Sequence, residues 1–98
     1  MTATTPFNAA DHIETREQAA VFLDEALSTG NAGYIQHALG VLARSKGMSH
    51  LAEETGLGRQ GLYKALAEDG SPKFETVLKV VAALGIQLHA APADQVAA

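Results

Sequence analysis

Three stretches of the chain repeat apolar residues with a helical period. Ala19, Phe22, Leu23, Ala26 and Leu27 follow the i, i+3, i+4, i+7, i+8 rule, as do Ile35, Ala38, Leu39, Leu42 and Ala43, and again Phe74, Val77, Leu78, Val81 and Ala82. That spacing puts each set on one side of an α-helix, the side a core would cover. Local punctuation frames each stretch. Thr15 and Gln18 have capping-box spacing ahead of the first. Gly30 ends it, and Asn31 caps a second helix that runs to Lys46, with Arg44 and Lys46 in the last turn, where cations suit the helix dipole. Gly47 is the stop. Ser71 followed by Pro72 predicts the start of the third, and Gly85 its end.

Between the second and third stripes lies a denser pattern, residues 48–66. Ser49 is a good N-cap for a short helix that sets Leu51, Ala52 and Thr55 on one face. Gly56 falls where that helix must stop, in a conformation of positive φ that glycine adopts most easily. Leu57 plugs the turn. A second short helix opens near Gly58, turning Leu62 and Leu66 inward and Arg59, Gln60, Tyr63 and Lys64 outward. This is the spacing of a helix-turn-helix, whose second helix enters the DNA major groove. Ala52 supplies the small residue where the helices touch, Gly56 the turn glycine four residues later, and Leu62 the aliphatic six beyond that. A plain pair of antiparallel helices is the alternative.

After Gly85 the period falls from 3.6 to 2. Ile86 and Leu88 alternate with Gln87 and His89, which predicts one short strand before Pro92. A lone strand in a helical protein needs a partner for its backbone, most simply the same strand of a second subunit, so Ile86 and Leu88 are candidate dimer contacts. The alternative is an extended tail pinned by two aliphatic side chains. At the other end, Phe7 to Ile13 predicts one helical turn with Asn8 as its cap. The expected organisation is a flexible tail at 1–6, one helix-turn-helix domain over 7–92, and a flexible tail at 93–98.

Composition changes this picture little. The chain has 98 residues, 47% hydrophobic and 18% charged, enough for one small packed domain. With no membrane-length apolar run, no signal-like N-terminus and no cysteine, a cytoplasmic protein without disulfides or thiolate metal sites is expected. Charge matters more. The net charge of −4 is unusual for a DNA binder, but it is unevenly spread. Residues 1–30 hold Asp11, Glu14, Glu17, Asp24 and Glu25 against Arg16 alone, whereas residues 44–79 hold the other six bases against five acids. Two partners could use those two surfaces, although an acidic front can also be an ordinary solvated face.

Candidate chemistry is sparse. Gly56-Leu57-Gly58-Arg59-Gln60-Gly61 spells G-x-G-x-x-G, but the dinucleotide fingerprint needs a strand before the glycines, and here a helix precedes them. His12, His37, His50 and His89 include no pair at i+3 or i+4, so no preformed metal face is expected. No nucleophile has a plausible base and orienter, so neither an enzyme nor a cofactor is expected.

Gly56 to Leu66, followed by Gly70-Ser71-Pro72-Lys73-Phe74-Glu75-Thr76-Val77-Leu78-Lys79-Val80, resembles the addiction-module antidote family. The front segment Ala19-Ala20-Val21-Phe22-Leu23-Asp24-Glu25-Ala26-Leu27 and the end Leu84-Gly85-Ile86-Gln87-Leu88-His89 resemble it too, so the similarity spans Phe7 to Pro92. The family typically has a hydroxyl cap at position 58 and an acid at 61, and this chain has glycine at both. The resemblance implies an all-α, five-helix, phage-repressor-like helix-turn-helix domain with the short C-terminal strand. It also implies a bacterial antitoxin that binds a small basic RelE/ParE-like toxin and represses its own operon, usually as a dimer. Ser49, Gly58, Arg59, Gln60, Tyr63 and Lys64 would then face operator DNA, and Asp24 and Glu25 would face the toxin. A stand-alone Cro-like transcriptional regulator is the competing reading.

Overall fold

A computed structural model of the chain describes residues 13–67 and 69–93. The helical turn expected at Asn8, both flexible tails except for residue 93, and Glu68 lie outside that range. Five helices follow in order: α1 (Arg16–Ser28), α2 (Ala32–Lys46), α3 (Met48–Thr55), α4 (Arg59–Ala65) and α5 (Phe74–Ala83). The all-α expectation holds for the described residues.

Local signals set most of the boundaries. The Thr15 side chain accepts the Gln18 N–H at 3.0 Å, and the Gln18 side chain accepts the Thr15 N–H at 3.2 Å, closing the capping box at the head of α1. Asn31 accepts the Tyr34 N–H at 2.9 Å and opens α2. Gly56 ends α3 in the left-handed conformation at φ 76°.

Packing builds outward from α2. It lies against α1 on one side and α3 on the other, and α3 in turn carries α4 and α5. Positions 38 through 43 of α2 are all buried. Leu23 of α1, Leu39 and Leu42 of α2, Leu51 of α3, Leu62 of α4 and Val80 of α5 meet in one core. Each fully buried side chain of that size contributes about 1.5–3 kcal/mol relative to exposure. Ser45 Oγ donates to the Ile13 carbonyl at 2.9 Å and fixes the approach to α1.

Four expectations need correction. The first is the strand at 86–89: no strand forms among the described residues. Instead the Gly85 N–H returns to the Ala82 carbonyl at 3.0 Å and the Ile86 N–H to the Val81 carbonyl at 3.1 Å. This is a Schellman closure of α5, with Gly85 at φ 78° and the expected contact between the residue after the glycine and the helix. Ile86 is only 9% exposed and belongs to the core of its own chain. Its amide is spent on the helix end, so the alternating pattern marks a cap rather than a ladder.

The second correction is at the head of α3. Ser49 does not cap it. Gly47, at φ 107°, is both the last cap of α2 and the first of α3, and the helix starts at Met48, whose side chain is buried. The third is the start of α5. Ser71 and Pro72 precede the helix, and Lys73, extended at φ −69° and ψ 155°, is the residue before its first turn. The Val77 N–H closes that turn on the Lys73 carbonyl at 3.1 Å. The fourth concerns the stripes. Val80, Val81 and Leu84 of the α5 region are buried, whereas Phe74 is 70% exposed and Leu78 45%; in α1, Leu27 is 41% exposed. α5 is apolar on much of its circumference, so the period alone allows more than one inward face.

Candidate nucleic-acid interface

α3 and α4 form a helix, a tight turn and a helix. The Gly56 N–H bonds to the Ala52 carbonyl at 3.0 Å, and the left-handed glycine reverses the chain. Leu57 is half-buried against the core and its N–H meets Thr55 Oγ1 at 3.3 Å. Thr55 Oγ1 itself donates to the Leu51 carbonyl at 2.8 Å, so one hydroxyl knits the helix end to the turn. Gly58 is the cap residue of α4 and offers no side-chain oxygen, as the sequence requires. The Leu62 N–H nevertheless closes the first turn on the Gly58 carbonyl at 2.9 Å.

The two faces of α4 differ sharply. Leu62 is wholly buried, and Leu66 just beyond the helix is nearly so. Arg59, Gln60, Gly61, Tyr63 and Lys64 are all exposed. The exposed face carries two bases and no acid. Arg59 and Tyr63, one turn apart, touch: Arg59 Nη2 donates to Tyr63 Oη at 3.3 Å, and the guanidinium carbon lies 5.6 Å from the ring centroid. Such a contact at an exposed site is worth about 0.5–1 kcal/mol, enough to restrict the arginine without hiding it. On α3 the balance is reversed. Glu53 and Glu54 are exposed there, and Glu54 lies 3.9 Å from Lys46 Nζ and 3.4 Å from His50 Nε2. Ser49 is exposed in the first turn of α3.

A residue with no signal in the local sequence pattern, Gln36, holds α4 in place. The two N–H groups of the Gln36 amide, on α2, are shared among the carbonyls of Ala65 at 3.1 Å, Ala67 at 2.6 Å and Gly70 at 2.9 Å. The last carbonyls of a helix have no partners within it, and Gln36 supplies one from another helix. Gly70 must be glycine for this to close: a Cβ there would sit 2.5 Å from the Lys64 carbonyl oxygen and 2.7 Å from that of Ala65. Gly40 of α2 lets the Leu66 carbonyl approach to 3.3 Å of where its Cβ would be. These contacts join residues some thirty positions apart, and nothing in the local pattern announces them.

The other residues singled out lie elsewhere. Asp24 and Glu25 are exposed on α1, which has no substantial packing contact with α4. Leu88 is 38% exposed beside α1. Among the described residues no three His, Asp or Glu side chains gather where a metal could bind, and no helix is long and apolar enough to cross a membrane.

The family model described as "Probable addiction module antidote protein" matches residues 3–92. The chain belongs to that family. A protein of Haemophilus influenzae described as uncharacterized is 43% identical over 83 residues, which is 85% of this chain and 86% of the relative. No solved structure matches significantly. Family membership supports an antitoxin role, and an antidote implies a toxin as its partner.

Proposed function

We propose that this antitoxin neutralises a RelE/ParE-like protein toxin by direct binding and represses its own operon through α3 and α4. It acts in the bacterial cytoplasm as a binding protein rather than an enzyme. The observation that carries the DNA half is the exposed face of α4, two bases and no acid on a helix that follows a left-handed glycine turn. In this reading α4 lies in the major groove. Arg59 and Gln60 near its start read base edges, Arg to guanine and Gln to adenine. Tyr63 and Lys64, one turn on, contact base and phosphate, while Ser49 and Gly58 approach the backbone. The protein is a homodimer, so that two α4 helices address half-sites a DNA turn apart.

An operator titration tests it. Gln60→Ala should relax preference at one base pair by about 1–3 kcal/mol. Lys64→Ala should weaken all sequences alike and reduce the slope of log K against log salt by about one unit. Wild-type operator binding by both variants would remove α4 as the reader.

A further inference from the structure

Among the described residues, four of the seven large exposed apolar side chains gather on one surface away from the exposed face of α4. Val21, Leu27, Phe74 and Leu88 line two adjoining grooves. One, of about 440 Å³, runs between α1, the first turns of α2 and α5, and Leu88. The other, of about 350 Å³, lies between α1 and residues 86–89. Leu23, Leu27 and Leu88 are common to both, so the two make one continuous surface. Exposed apolar side chains gathered in one groove, rather than scattered singly, mark a candidate contact surface.

Charge selects the occupant. Among the described residues, the larger groove is lined by no charged side chain, and the smaller carries Asp24 as its one carboxylate, with no Lys or Arg in either. Glu17 and Glu25 are exposed along the same helix. A second copy apposed through this surface on a two-fold axis would turn two acidic α1 helices toward each other with no base in the grooves to answer them. A basic partner meets no such repulsion. We infer that this double groove is where the antitoxin grips its toxin, taking a large apolar side chain of the toxin between Leu27, Phe74 and Leu88 while a neighbouring Lys or Arg of the toxin reaches Asp24. The inference rests on the antitoxin reading and locates its protein-binding half. An apolar anchor inside a charged rim is the usual distribution of energy in such contacts, and the rim charge sets the rate of encounter.

The test uses the full chain and the purified protein encoded beside it. Phe74→Ser combined with Leu88→Ser alters two exposed side chains and should leave the circular dichroism and operator binding of the free protein unchanged. It should weaken capture of the neighbouring protein by at least about tenfold. Asp24→Lys should slow association several-fold at low salt and much less at high salt. Wild-type affinity in the double variant, with the wild type binding normally, overturns the groove and leaves the antitoxin reading standing. A free double variant that falls from dimer to monomer by light scattering overturns it as well, since the groove would then join two copies. Failure of the wild type to bind the neighbouring protein at all overturns the antitoxin reading, and the groove with it.

Discussion

α2 and α4 sit on the same core and are held there by different forces. α2 has fifteen residues, with an asparagine cap at its head, bases in its last turn and a run of buried positions through its middle. α4 has seven residues, a bare glycine at its head, one fully buried side chain, and its end fastened by an amide from α2. Apolar burial holds an element without fixing its direction closely. Hydrogen bonds to carbonyls have preferred lines of approach and do fix direction. The α2 scaffold is therefore secured by area and α4 by aim.

Core truncation should have the largest effect and should not distinguish the two helices. Leu42→Ala in α2 and Leu62→Ala in α4 each remove a wholly buried side chain, and each should lower unfolding stability by about 2–5 kcal/mol in a denaturant titration. A loss below 1 kcal/mol at Leu62 alone would mean that α4 is not anchored by burial at all.

Gln36→Glu separates burial from aim. It keeps the size of the side chain, removes both N–H donors and points a carboxylate at three carbonyls. The cost in stability should be about 1–3 kcal/mol. Operator affinity, measured where the protein is fully folded, should fall further, because α4 loses its orientation. Unchanged affinity in folded Gln36→Glu would show that burial of Leu62 suffices to aim the helix.

Gly61→Ala should have the smallest effect, and of opposite sign. A Cβ there meets nothing within 4 Å, and its φ is not positive. The substitution should stabilise the fold by about 1 kcal/mol through helix propensity. If operator binding weakens while the thermal midpoint rises, the glycine serves close approach of the DNA backbone. Equal gains in both would mean that it has no role in binding.

Much of the fold is legible in short windows because the physics there is local. The Thr15–Gln18 box, the Asn31 cap and the glycines at 30, 47, 56 and 85 each act within a few residues. Where the reading fails, a distant contact or a second local option decides. Ser71 and Pro72 look like a helix start, yet α5 begins at Phe74. Ser49 looks like a cap, yet Gly47 lets α3 begin one residue before it. Ile86 and Leu88 alternate like a strand because a Schellman closure also wants an apolar residue after its glycine. At the candidate interface the exposed face of α4 was legible from the positions of Leu62 and Leu66. Gln36 was not, since its partners are at 65, 67 and 70. Phe74 and Leu27 lie on apolar stripes but face outward, for a helical period does not say whether the cover comes from the same chain.

Gly47 has a bearing on how this sequence can change over generations. It is the whole of the joint between α2 and α3, so the orientation of one helix passes to the next through a single residue. One residue added to the last turn of α2 ahead of it would turn everything downstream by about 100° around the axis of α2, the rotation per residue of an α-helix. Gln36 would then miss its carbonyls and α4 would face another way. Length variation among descendants should collect instead at 29–31 and 71–73, outside the carbonyls that Gln36 holds, and position 47 should neither gain nor lose a neighbour.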